Sequence, residues 1–518
     1  MASEDTSTPN AELPRQFSLF SAIALGFSIT NSWLGYSGTL ATPLTMGGSP
    51  TAFFGLIVAS VASCFITAGF AELASAFPNN GGPYHYAFMV SGEKHRAPVA
   101  FVVGSLSVIA WSFGTASTAI ICAQMTDRLV TIYHPGYTEA AWHTYLIYLA
   151  FVILTTTVVC ALPRAIPRLE IVIFLCSFFG FVVSLVTVLT VQDHKQSAHS
   201  VFVDYENHTG WNDGTAFMIG TATCMYAYLA IDGATHIAEE VTDPSRNIPR
   251  AVGLTVLSGI LTAIPWTIAL LFCTTDHQAV ASSPIPIYTV YLQATSSPPT
   301  ATFFTAWMIF LFTGALLSNL VTTGRLAYAF AQSGGLPFSP FFAKTTNGMP
   351  MNATIGASTF IALYGLIYIG STTAFNSFIS MCILSLNVTY AIPQGIALFR
   401  GRENVLPKRS FTMGKYLGGF CNAFSVLWVS LITVLFCLPL SIPATAQDMN
   451  YVSVIITGFL ALILAAWWGW KRQTFCEPRI KLEGPALSRD IEKVSTRGSD
   501  DSNRVKRIPR SEWVYCDE

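Results

Sequence analysis

Apolar residues in this chain come in long runs separated by short polar stretches. Twelve runs stand out, over residues 17–41, 51–76, 99–125, 144–162, 169–191, 215–241, 251–273, 300–331, 353–370, 375–399, 421–440 and 451–470. A helix needs about 20 apolar residues to cross the hydrocarbon core of a bilayer. In lipid the main chain must satisfy its own hydrogen bonds, which favours helices. The pattern therefore predicts an all-α polytopic membrane domain of about twelve transmembrane helices over residues 17–472, with a polar arm at 1–16 and a polar, disordered tail at 473–518.

Two runs break their own pattern. The sixth is apolar until Ala230-Ile231-Asp232-Gly233, where a carboxylate and a glycine appear at depth. The first is apolar to Phe27, then reads Ser28-Ile29-Thr30-Asn31-Ser32 and carries Gly35 and Gly38. Buried charge in a membrane is costly, and irregular backbone is tolerated there only beside protein or a water-filled cavity. Interruptions in the first and sixth spans are the placement expected of two five-span repeats of opposite topology with two spans added, a 5+5 inverted-repeat (LeuT-like) bundle with discontinuous helices 1 and 6.

Charge adds an orientation. Only 11% of the 518 residues are charged and the mean hydropathy is +0.51. With both termini cytoplasmic, Arg128 and Lys195 alone among the basic residues fall outside, as the positive-inside rule favours. The outer loop at 192–214 then holds Asn207-His208-Thr209, an N-glycosylation acceptor. The first sixteen residues are polar and do not read as a signal peptide. The basic stretch at 400–415 reads as a solvated contact with the inner leaflet. The cysteines form no CxxC pair and most sit inside apolar runs, as small hydrophobes do.

Three stretches carry a family resemblance: AELASAFPNNGGPYHYA from Ala71, AIDGATHIAEEVTDPSRNIPRA from Ala230, and TGRLAYAFAQSGGLPFSPFFAK from Thr323. In this order they resemble the amino acid–polyamine–organocation transporter superfamily, closest to its fungal amino acid/choline permeases, over about residues 17–470. The resemblance implies alternating access about a site at mid-membrane, with a proton as coupling ion and no other cofactor. Two departures stand against the family pattern. Many members carry a carboxylate after the tryptophan of the first break, whereas Trp33 is followed by Leu34. Some carry a lysine in the fifth span, whereas Glu170, toward the cytoplasmic end, is the only charge of this one.

Candidate site residues follow from the breaks. Thr30, Asn31, Ser32 and Gly35 open a half-helix whose free N–H groups suit a substrate carboxylate; the bland alternative is interhelical hydrogen bonding. Ala230 and Gly233 offer main chain at the sixth-span break. Asp232 either meets a substrate ammonium or caps the half-helix that follows it. Trp111, Tyr226 and Tyr228 either cover the pocket, where an aromatic face holds an ammonium, or pack helices. Ser318 and Asn319 are polar at depth in the eighth span, and His236 reads as a polar packing residue or a pH-sensitive group. Glu72, Glu239, Glu240 and Arg325 read as ion-pair or gate residues near the cytoplasmic end; for Arg325 the alternative is snorkelling to the interface.

These readings point to a transporter. The substrate expected is an amino acid or related small amine; the rivals are choline or another quaternary ammonium, and a nutrient sensor on the same fold, against which the short termini argue. A passive channel fits the broken helices less well. No Walker motif, metal set or catalytic triad appears, so an enzyme and an ATP-driven pump are excluded, and no feature calls for nucleic acid. The plasma membrane is the default location, a vacuolar membrane the alternative, and nothing in the sequence fixes an oligomeric state.

Overall fold

The computed structural model describes residues 14–476 except 135, 284, 347 and 446–448. The arm at 1–16 and the tail at 473–518 thus lie mostly outside the described residues. Among the described residues, eleven helices are long and apolar enough to cross a membrane. The first apolar run is not among them, because it is split into Leu19–Thr30 and Ser32–Thr39, neither long enough alone. With that pair as span 1, the others in chain order are span 2 (Ala41–Ala76), span 3 (Arg96–Tyr133), span 4 (Ala141–Ala161), span 5 (Ile166–Val191), span 6 (Asp213–Glu240), span 7 (Pro244–Cys273), span 8 (Pro298–Gln332), span 9 (Met351–Gly370), span 10 (Thr372–Arg400), span 11 (Gly414–Phe436) and span 12 (Val452–Thr474). The protein is an all-α multi-pass membrane protein, and no extended strand occurs among the described residues.

Span 2 shows where pattern and helix ends part company. Its helix begins ten residues before the expected start at 51. Gly47 and Gly48 are non-helical within it, however, and Gly48 has φ +67°, open to glycine at no steric cost. The continuous membrane helix starts after that kink, at Pro50-Thr51, as the apolar run predicts.

Spans 1, 2, 6 and 7 pack on one another, and spans 3, 8 and 10 close over the broken pair. Large apolar side chains on the outer faces stay exposed, among them Phe179, Leu261 and Leu427. In water such a surface would drive aggregation; in a bilayer it is the lipid contact. At depth the polar groups turn inward.

Between spans 2 and 3 the chain turns through Asn79-Asn80-Gly81-Gly82 into the short helix Pro83–Val90. Gly82 has φ +54°, and a Cβ there would lie 2.8 Å from Thr235 Oγ1 and 2.9 Å from the His236 ring. Only glycine lets this turn lie directly on the second half of span 6.

Candidate substrate site

Span 1 starts cleanly. Ser18 caps it, its hydroxyl accepting from Ser21 N–H at 3.2 Å. After twelve helical residues, Asn31 takes φ 30°, ψ 59°, a left-handed conformation that asparagine tolerates better than most residues. The helix restarts at once, with Leu34 and Gly35 N–H bonding to Asn31 C=O at 2.9 and 2.8 Å. Ser32 and Trp33 open this second helix, where the first N–H groups have no partner within the helix itself.

The Asn31 side chain is oriented by a relay. Trp33 Nε1 donates to Ser177 Oγ at 3.1 Å, and Ser177 in turn donates to Asn31 Oδ1 at 2.9 Å. That fixes the amide's direction and leaves its Nδ2 buried without an acceptor. A buried unsatisfied donor costs about 1–3 kcal/mol.

Span 6 breaks over a longer stretch. The α-helix Asp213–Cys224 tightens to a 3₁₀ turn at Met225–Tyr228, unwinds, and resumes as a 3₁₀ helix at Gly233–Glu240. Ala230 sits at φ 61°, where a Cβ is unfavourable. The half-helix expected after Asp232 is therefore present, with a tighter winding.

A cavity of about 40 Å³ lies between the two breaks. It is lined by Thr30, Asn31, Leu34 and Gly35 from span 1, Leu229 and Ala230 from span 6, and Trp111, Thr118 and Asn319 from spans 3 and 8. The space holds a few waters at most, so this is a contracted state. Asn319 Nδ2 donates to Thr118 Oγ1 at 2.9 Å, tying span 8 to span 3 across one wall. Thr118 and Gly114 escaped the sequence reading. They stand seven and three residues after Trp111, on the same helix face, and that spacing was the available signal.

Ser32 and Tyr228 do not line this cavity. Ser32 turns onto Gly259 of span 7, and Tyr228 OH pairs with Ser60 Oγ at 2.6 Å in span 2. Gly233 sits against the Ile29 and Trp111 side chains.

Asp232 is held by neighbouring side chains rather than by the main chain of the helix it precedes. Its side chain makes no cap bond to the helix it precedes, and it is fully buried outside the cavity lining. Instead Tyr390 OH donates to Oδ1 at 2.5 Å, Trp111 Nε1 donates to Oδ2 at 3.1 Å, and His236 Nε2 meets Oδ2 at 2.9 Å. A carboxylate in a low-dielectric interior draws side-chain donors from other spans more strongly than main-chain N–H groups of its own, since charge-assisted bonds are about twice as strong. Trp111 thus faces the cavity while bonding the carboxylate behind it.

Glu240, rather than its neighbour Glu239, takes Arg325. Arg325 Nε and Nη2 reach the two oxygens at 2.5 and 3.2 Å, and Gln16 Nε2 adds a third donor at 2.7 Å. The tight pairing sets aside snorkelling for Arg325. Glu239 accepts from Asn79 Nδ2 at 3.0 Å. Glu72 is fully buried beneath Arg402 and Arg409, whose nitrogens approach at 2.5 and 2.7 Å. The basic stretch at 400–415 is therefore not simply solvated. Two of its arginines fold back, because a buried carboxylate without partners would be prohibitive.

Glu170 lies in the first turns of span 5. It is fully buried, and Ser318 Oγ donates to its Oε2 at 2.7 Å. At the opposite end, Asn207 is half-buried, its Nδ2 donating to Trp211 C=O at 2.7 Å and to Asp213 at 3.0 Å. Beside it opens a vestibule of about 360 Å³ whose walls include Asp204, Glu206, His208 and His277. Burial there lowers the proton affinity of His277.

Comparison with known proteins agrees with this geometry. The chain is 32% identical over 461 residues to a choline transporter of Saccharomyces cerevisiae, covering 88% of this chain and 81% of that one. It is 27% identical over 445 residues to a putative amino acid/polyamine transporter of Macrophomina phaseolina, covering 85% and 98%. An amino-acid permease of Arabidopsis thaliana matches at 26% over 496 residues, covering 90% and 94%. Residues 17–460 match the amino acid permease family model. With two broken spans meeting around one cavity and a match over nearly the whole membrane domain, the chain belongs to the amino acid permease family.

Proposed function

We propose that this transporter carries amino acids or related small zwitterionic amines, with a proton, by alternating access about the cavity between the two breaks. The observation that carries the substrate class is the Asn31 amide. Its Nδ2 is buried, lines the cavity and has no acceptor, which suits a substrate carboxylate. The free N–H groups at the start of Ser32–Thr39 add a helix N-terminus of the same polarity. Main-chain carbonyls at the Ala230 break suit an ammonium. Asp204 and Glu206 in the vestibule favour the approach of a cationic group.

A second reading is choline or another quaternary ammonium. It is favoured by the Trp111 and Tyr226 rings on the cavity wall and by the choline transporter among the relatives, while Leu34, in place of a carboxylate, speaks against it. The proton is what the likeness to fungal permeases implies. In this reading the end bearing Phe17, Glu72 and Arg325 is cytoplasmic, the pairs Glu240–Arg325 and Glu72–Arg402 lock that gate, and the membrane is the plasma membrane. A glycan on Asn207 would have to break the two bonds its Nδ2 makes.

Uptake in intact cells tests the proposal, with labelled amino acids and labelled choline offered singly and in competition at two external pH values. The expected result is saturable amino acid uptake, faster at acid pH and indifferent to excess choline. Choline uptake that amino acids fail to inhibit would replace the first reading with the second.

A further inference from the structure

His236 stands between two acceptors. Its Nδ1 lies 2.9 Å from the Asn80 main-chain carbonyl, and its Nε2 lies 2.9 Å from Asp232 Oδ2. A carbonyl only accepts, so Nδ1 carries a hydrogen. A neutral imidazole has one N–H, which leaves a lone pair on Nε2 facing the Asp232 oxygen. Two lone pairs at 2.9 Å repel, so a hydrogen must also sit between Nε2 and Oδ2. The pair therefore holds one proton more than a neutral histidine beside an ionised aspartate. The remaining Asp232 contacts agree, since Trp111 and Tyr390 both donate to the carboxyl group.

The surroundings make that proton consequential. Both side chains are fully buried. With the extra proton the pair is neutral overall; without it a net negative charge is left in a site closed to solvent, which is unfavourable. The titratable groups facing the pair are Tyr390 and Cys382 from span 10 and Tyr86 from the helix Pro83–Val90, none of them a cation. Farther along Gly233–Glu240, Glu240 is already taken by Arg325, and Glu239 lies on Asn79. Among the described residues the ion pair of Asp232 is with His236, and no Lys or Arg is paired with it in place of the proton. Two parts outside span 6 clamp it: the Asn79–Gly82 turn supplies the carbonyl, and Trp111 links the carboxylate to the cavity wall.

We infer that the Asp232–His236 pair is the binding site of the coupling proton, loaded while the Asn80 turn and Trp111 are seated and released when they move apart. The inference rests on the proton-coupled reading above. Loading adds one proton from water to a neutral imidazole beside a carboxylate, which gives an imidazolium–carboxylate ion pair or an imidazole–carboxylic acid pair; release returns the neutral imidazole and the carboxylate, with the proton going to water. Substrate touches the same device through Trp111.

The test uses the full chain in proteoliposomes loaded with a pH-sensitive dye, with radiolabelled γ-aminobutyrate and choline as probes. Net uptake driven by an inward proton gradient is compared with tracer exchange at equal pH, which needs the substrate site but no net proton movement. In His236→Gln, gradient-driven uptake and lumenal acidification should fall at least about 10-fold, while exchange falls no more than about threefold. Asp232→Asn should lose acidification in the same way, and Glu170→Gln should keep it. Coupling retained in both pair variants overturns the assignment and leaves the proton-coupled reading standing. Coupling lost in Glu170→Gln alone moves the proton to span 5. A wild type that accumulates either probe without acidification overturns both. Nitrogen-15 NMR of the histidine-labelled chain, assigned with His236→Gln, decides independently of substrate. A hydrogen on Nδ1 and another shared between Nε2 and Asp232 is expected; a free Nε2 lone pair overturns the inference.

Discussion

The two broken spans meet the same difficulty, irregular backbone at mid-membrane, by different means. Span 1 breaks at one residue, Asn31, and its polar groups stay available: an amide donor without a partner and helix N–H groups beside a cavity. Span 6 breaks over several residues, and its polar side chains are used up: Asp232 by Trp111, Tyr390 and His236, and Glu240 by Arg325 and Gln16. One break is arranged to receive something and the other is held shut by charge. The difference teaches that a buried intramembrane carboxylate can be filled by donors from neighbouring spans while other residues build the cavity wall.

The comparison makes four predictions. Arg325→Ala should have the largest effect, because it strands Glu240 in a dry interior, at a cost of about 3–5 kcal/mol. Thermal unfolding of the purified protein in detergent should show it, and adding Glu240→Gln should recover much of the loss; no recovery would mean that the pair does not hold span 6. Next comes Asn31→Val, which forces a β-branched residue into a left-handed conformation costing about 1–2 kcal/mol and removes the free amide. Uptake should drop at least about 30-fold at normal surface expression, the two losses adding to roughly 2 kcal/mol or more. Asn31→Gly separates the terms, since it keeps the main chain and loses only the amide.

Trp111→Phe keeps an aromatic wall and deletes one donor to Asp232. A hydrogen bond to a charged group contributes about 1.5–3 kcal/mol, so transport should slow about 10-fold. An unchanged rate would mean that the span 6 network is insulated from the cavity. Ser177→Ala should have the smallest effect. It unlinks Trp33 from Asn31 and frees the amide to turn, which should raise the KM for uptake about threefold with little change in maximal rate. An effect as large as that of Asn31→Val would show that the first break, too, is held by side chains.

Much of this was legible in the sequence. The twelve apolar runs place the spans, and the clusters at Thr30-Asn31-Ser32 and Asp232-Gly233 mark both interruptions. Thr30, Asn31, Gly35, Trp111, Ala230 and Asn319 were singled out, and the fold gathers them around one cavity. Other features depend on tertiary packing that no local pattern encodes. Asp232 turns from the cavity because Trp111 and Tyr390 reach it from 121 and 158 residues away. Which of the adjacent glutamates meets Arg325 depends on how Gly233–Glu240 winds and packs, and it is Glu240 that does. Glu72 is neutralised from 330 and 337 residues farther on, by arginines whose local sequence reads as solvated.

The entry to span 1 has one more consequence. Gln16 and Phe17 N–H both bond to Glu240 C=O at 3.0 Å, and Thr242 N–H returns a longer bond to Phe17 C=O at 3.4 Å. This main-chain seam joins the first residues of one broken helix to the last residues of the other. The two outer ends are riveted into one lever, so any pivot lies inward, at the breaks. Motion at the solute's seat and motion at the mouth of the protein then become a single displacement read at two radii.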